Sequence, residues 1–127
     1  MSNKELEKRL RQLKIEDFIW IIYIGIIFFS LYSNTLERKY FIYNDVKSKN
    51  TYRNITIGIF TILVIVYFYF LKDSFNDVKS LNANDTYKKR YLTKLSFFGS
   101  LLIFISGIIF LYIAYSDENI DVEVAFN

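Results

Sequence analysis

Three long stretches without a single charged side chain constrain this chain more than any other feature. They run from Phe18 to Leu36 (FIWIIYIGIIFFSLYSNTL), Ile55 to Leu71 (ITIGIFTILVIVYFYFL) and Leu95 to Tyr115 (LSFFGSLLIFISGIIFLYIAY). A helix rises about 1.5 Å per residue and the hydrocarbon core of a bilayer is about 30 Å thick, so roughly 20 residues cross it. Each run lies in or near that length. A charge at mid-span would cost about 2.5–3.5 kcal/mol. The alternative, helices buried in a water-soluble bundle, needs polar faces, and Ile62 to Phe70 is apolar or aromatic all round. The 127 residues are 53% hydrophobic and 23% charged, and the two kinds alternate in blocks rather than at a helical or strand period. The expected fold is all-α: an integral membrane protein with three transmembrane helices in an up-down-up arrangement and a short N-terminal amphipathic helix. The first run is too long for a cleaved leader, and no A-x-A-like site follows Ser33.

The chain has no Cys, His or Pro. Thiol chemistry, Cys/His zinc sites and histidine acid–base catalysis are therefore excluded. No carboxylate cluster suggests a metal, and no motif suggests a cofactor. No span carries the ionisable residue that marks a proton or ion path. Ser106-Gly107 has no histidine to activate the hydroxyl, which argues against an intramembrane serine protease. The sequence points away from an enzyme. Mid-span Ser and Thr are expected to bond back to their own helix or to a neighbour.

The organisation expected is a cytoplasmic amphipathic helix over 1–16, transmembrane helix 1 over 17–36, an outer loop over 37–54 and transmembrane helix 2 over 55–71. A cytoplasmic helical hairpin over 72–94, transmembrane helix 3 over 95–115 and an acidic outer tail over 116–127 complete it. Lys and Arg concentrate on cytoplasmic segments. The N-terminal segment and the 72–94 segment together hold eleven, against five in 37–54 and none in the tail. The count places the N-terminus in the cytoplasm and the C-terminus outside the cell membrane. Trp20, Tyr23, Tyr67, Tyr69, Tyr112 and Tyr115 stand near span ends, where amphipathic rings favour the headgroup zone.

Outside the spans, Ser2 and Glu5 spell a capping box and Met1 can staple onto Leu6. Leu6, Leu10 and Leu13 form an apolar stripe, with Glu5–Arg9 and Glu7–Arg11 as pairs four apart. Leu36, Tyr40 and Tyr43 extend the first helix toward a break at Asn44-Asp45. Leu71, Phe75 and Val78 extend the second toward a break at Asn82-Ala-Asn-Asp, with Asn84 or Asp85 as the next cap. So short a break makes helices 2 and 3 antiparallel neighbours. Lys88, Lys89 and Arg90 stand near the inner surface and suit lipid headgroups; so small a cluster at a membrane does not suit nucleic acid.

All four glycines (Gly25, Gly58, Gly99, Gly107) lie inside predicted spans. Small residues let membrane helices approach closely. Ser96, Gly99, Ser100, Ser106 and Gly107 are the candidate helix-packing residues, read as one stripe. In the tail DENIDVEVAFN, Ile120, Val122, Val124 and Phe126 alternate with polar or small residues at strand period, which suggests a strand added to a partner's sheet.

The stretches SLYSNTLERKYF, SGIIFLYIAY and DENIDVEVAF resemble uncharacterised small three-span membrane proteins of low-GC bacteria and their mobile elements. That resemblance implies no activity and transfers no site. The function expected is a structural or accessory subunit that contacts membrane lipid and packs as a homo-oligomer or with a larger membrane protein. The alternatives are a holin-like or toxin-like permeabilising protein and an oligomeric channel.

Overall fold

In the computed structural model, which describes residues 2–116, the chain forms three α-helices: α1 (Asn3–Tyr43), α2 (Val46–Lys79) and α3 (Tyr87–Ser116). No strand occurs among the described residues. All three helices are long and apolar enough to cross a bilayer, which makes the chain a multi-pass membrane protein. The strand expected over Ile120, Val122, Val124 and Phe126, and the staple from Met1, lie outside the described residues.

The helices are longer than the apolar runs inside them. At about 1.5 Å per residue, α1 measures about 61 Å, α2 about 51 Å and α3 about 45 Å, against a hydrocarbon core of about 30 Å. The amphipathic segment over 1–16 is therefore no separate element. It joins the first span in one unbroken helix, because no Gly or Pro interrupts residues 3–24. The Glu5–Arg9 and Glu7–Arg11 pairs do not close among the described residues. Both are solvent-exposed, where such pairs stabilise little.

Local chemistry sets each helix end. Ser2 Oγ accepts from the Glu5 N–H at 3.2 Å, and Glu5 Oε2 accepts from the Ser2 N–H at 3.3 Å, completing the capping box. Helix α1 stops at Asn44, which adopts the left-handed conformation (φ 55°, ψ 38°). Asparagine tolerates that region better than other residues with a Cβ. Asp45 then caps α2. Its carboxylate accepts from the Lys47 N–H at 3.1 Å and the Ser48 hydroxyl at 2.8 Å, and its carbonyl takes the Lys49 N–H.

The connection from α2 to α3 departs from expectation in one respect. Thr86, rather than Asn84 or Asp85, caps α3. Thr86 Oγ1 accepts from the Lys89 N–H at 3.1 Å and its carbonyl from the Arg90 N–H. Asp85 closes the preceding turn instead, accepting from the Asn82 N–H at 2.8 Å and pairing with Lys89 at 3.2 Å.

Two compact units divide inside α2, the first Met1–Tyr52 and the second Arg53–Asn127. In the first, Lys49 lies over the Tyr40 ring (5.4 Å), across the Asn44-Asp45 reversal. Ser33 in the same unit is 2% exposed, and its hydroxyl has no hydrogen-bond partner among the described residues.

Three tests follow from these local contacts. Ser33→Ala removes an unsatisfied buried hydroxyl, so it should leave stability unchanged or raise it by about 1 kcal/mol in a detergent melt. Thr86→Ala should lower it by about 0.5–2 kcal/mol. The third concerns pH. Asp45 is held below the ordinary carboxylate range chiefly by the Ser48 hydroxyl, and Asp85 chiefly by the Asn82 N–H and then by Lys89. Each contributes stability that is complete above the ordinary carboxylate pKa and is lost as pH falls through the lower folded value. Asp45→Asn combined with Asp85→Asn should flatten the acid limb of a melting-temperature-against-pH curve.

Candidate functional site: the seam between α2 and α3

The second unit contains one continuous helix–helix seam. In order along the chains, the Phe60 ring lies tilted against Phe110 (5.8 Å between centroids), Phe68 against Phe104 (5.7 Å) and Phe75 against Phe97 (5.7 Å). Partner numbers on α3 fall as those on α2 rise, so the helices run antiparallel. Ser74 Oγ and Ser100 Oγ share a hydrogen bond of 2.9 Å across the seam. At the other end, Arg53 Nη2 donates to the Tyr115 carbonyl at 2.6 Å. A cation at this position satisfies one of the last open carbonyls of α3 and complements the negative end of its dipole.

The periodicity explains the fit. On α3, Thr93, Phe97, Ser100, Phe104, Gly107, Leu111 and Ala114 alternate steps of four and three, and none is exposed. Thr93, Ser100, Gly107 and Ala114 each stand seven residues apart, with Phe97, Phe104 and Leu111 interleaved. Small and large side chains therefore alternate along one face. On α2, Phe60, Val64, Tyr67, Leu71, Ser74 and Val78 repeat the four-three spacing, and none is exposed. A 3.5-residue average spacing is that of knobs-into-holes packing. Lipid tails are as apolar as Leu, so shape complementarity and interhelical hydrogen bonds, rather than exclusion of water, hold such a seam.

Gly107 is a point of close approach. A Cβ built there would stand 2.9 Å from Tyr67 Cδ2 and 3.4 Å from Val64 Cγ2. Real Cβ atoms do not pack so closely, so the Tyr67 ring occupies the space that glycine leaves. Gly99 differs, with nothing within 4 Å of its built Cβ.

The five small residues expected to act together are therefore not one stripe. Ser100 and Gly107 lie in the seam. Ser96 and Ser106 are exposed, and Gly99 stands in open space. Each helical residue advances about 100°, which turns residues 99 and 106 about one residue's rotation away from 100 and 107. Thr93 and Ala114 belong to the seam and were not expected there; their seven-residue spacing from Ser100 and Gly107 is the signal that reveals them. Two threonines bond back to their own helix, as mid-helix Thr does. Thr61 donates to the Ile57 carbonyl at 2.8 Å and Thr93 to the Lys89 carbonyl at 2.7 Å, leaving Ser100 to bond across.

Lys88, Lys89 and Arg90 occupy the first turns of α3, all at the turn end of the α2–α3 hairpin. They are not equivalent. Lys89 is engaged by Asp85, and the Arg90 Nε is buried while Lys88 is exposed. The exposed charge of this end is therefore carried by Lys88 and Lys89, the latter 62% exposed even while paired, and Arg90 is half-buried. No group of three or more His, Cys, Asp or Glu able to hold a metal occurs among the described residues.

The two glycines provide a paired test on the detergent-solubilised monomer. Gly107→Val forces the Tyr67 ring aside and should cost roughly 1–3 kcal/mol. Gly99→Ala should be neutral or stabilising, by up to about 1 kcal/mol of helix propensity. Equal effects at the two positions would show that the seam does not run through Gly107.

No family model matches the chain, and neither a curated protein nor a solved structure matches it.

Proposed function

We propose that the chain is a small structural or accessory membrane subunit, without catalytic activity, that packs with itself or with a larger membrane complex. The observation that supports this is the open ground around Gly99. The α2–α3 seam uses Gly107, whereas Gly99 lies between the exposed hydroxyls of Ser96 and Ser106 with open space where a side chain would stand. Glycine costs about 1 kcal/mol relative to alanine inside a helix. An open glycine beside small polar residues is the surface on which a second membrane helix packs closely. The distribution of Lys and Arg supports an N-terminus in the cytoplasm and a C-terminus outside the cell membrane.

Affinity purification in mild detergent followed by native mass spectrometry tests the packing. A discrete homo-oligomer or a stoichiometric second protein is expected, and Gly99→Leu should dissolve it. A monomer with nothing bound would remove the basis of the proposal. Rapid loss of membrane potential on induced expression would favour a holin-like or toxin-like permeabilising protein, and ion flux in liposomes an oligomeric channel. The chain has no Cys, so Ser2→Cys and Ser116→Cys each introduce a unique thiol. A membrane-impermeant maleimide added to intact cells should label Ser116→Cys alone.

A further inference from the structure

The α2–α3 hairpin changes character at different levels on its two helices. On α2 the apolar run ends at Leu71, and Lys72, Asp73, Asp77 and Lys79 follow. The Ser74–Ser100 bond and the Phe75–Phe97 contact fix which part of α3 stands beside that charged segment. There the outer face of α3 does not become polar. Phe98 (54% exposed), Leu95 (48%), Tyr91 (54%) and Tyr87 (78%) continue toward the turn the same exposed stripe that Leu102, Ile105 and Ile109 form within the span. From Ser100 to Tyr87 this is about 20 Å of helix with charge on its α2 neighbour and apolar surface outward.

We propose that this outward face of α3, Tyr87 to Phe98, lies against the headgroup layer of the bilayer and is held there by anionic lipid. The occupant follows from continuity and from charge. The stripe is an unbroken extension of surface that already faces hydrocarbon in a spanning helix. Tyr87 and Tyr91 stack in parallel (6.3 Å, 11°), presenting two rings with polar tips at the end of an apolar strip, as side chains of the membrane interface do. Lys88 and Lys94, both exposed, flank these rings on the helix, and long cationic side chains extend from apolar surface to phosphate. Lys89 stands on the far side of the helix from Tyr87 and Tyr91, since each residue turns about 100°, and there it pairs with Asp85. The contact therefore belongs to the tyrosine pair with Lys88 and Lys94, and not to the Lys88-Lys89-Arg90 run as a block. It requires a spanning α3 but neither oligomerisation nor a partner, so its test is independent of the subunit proposal.

The test uses the full chain with Trp20→Phe and Tyr87→Trp, leaving one tryptophan, reconstituted in phosphatidylcholine vesicles with and without phosphatidylglycerol. Quenching is read with lipids brominated at shallow or deep positions and with aqueous acrylamide. Shallow bromine should quench most, acrylamide should quench weakly, and the anionic lipid should strengthen both trends. Lys88→Gln combined with Lys94→Gln should remove most of the gain in shallow quenching that phosphatidylglycerol gives. Tyr91→Trp repeats the measurement should the change at 87 disturb the stack. Strong acrylamide quenching without lipid quenching would place the face in water and overturn the proposal. Protection from both quenchers would mean that protein covers it, and would overturn the proposal equally.

Discussion

A peptide group in hydrocarbon has no water to bond, and leaving one unpaired costs several kcal/mol. Every other feature of this chain is arranged around that constraint. Helix satisfies it within the segment, so each of the three apolar runs lies in a single long helix without an internal break. The constraint relaxes only at helix ends, where four N–H and four C=O groups lose their intrahelical partners. Those ends carry the local hydrogen-bonding residues: Ser2 with Glu5, Asp45 with Ser48, Thr86 after Asp85, and Arg53 on the Tyr115 carbonyl.

Once the backbone is satisfied, helices in lipid gain little from hiding apolar side chains and must attract one another by fit. The α2–α3 seam shows how. Gly107 admits the Tyr67 ring, Ser100 meets Ser74, and phenylalanine pairs fill the levels between. Dispersion contacts are individually worth little and are lost steeply with distance, so a small residue recurring every seventh position matters more than its own size suggests. The same spacing explains why Gly99, one residue from the seam at Ser100, is not part of it.

The hairpin beyond the spans joins these two themes. Asp85 closes the turn, Thr86 starts α3, and α3 keeps an apolar exposed face alongside a charged segment of α2. A helix pair of this kind is amphipathic across its width rather than along one helix. Such a surface is suited to an interface with hydrocarbon on one side and water on the other. The small residues around Gly99 lie on the same helix, turned away both from the α2 seam and from the Tyr87–Phe98 stripe.

Much of the fold is legible in the order of residues alone. Uncharged runs of membrane length determine three spanning helices, because charge in hydrocarbon is prohibitive whatever the neighbours. The Ser2–Glu5 box, the stop at Asn44 and the antiparallel α2–α3 pair follow from short-range chemistry and a short connection. Two local expectations fail for lack of tertiary information. Asn84, Asp85 and Thr86 are all competent caps, and only the closing geometry of the turn assigns the cap to Thr86 and Asp85 to the turn. Ser96, Gly99, Ser100, Ser106 and Gly107 are all small. Only the phase of α3 against α2 separates the two that touch it from the three that do not, and only that phase adds Thr93 and Ala114. The amino-acid sequence by itself determined which segments enter the membrane, since transfer of a residue into hydrocarbon depends on its own chemistry. The tertiary structure alone decided which face of each helix meets a helix, since close packing depends on the shape of two surfaces at once.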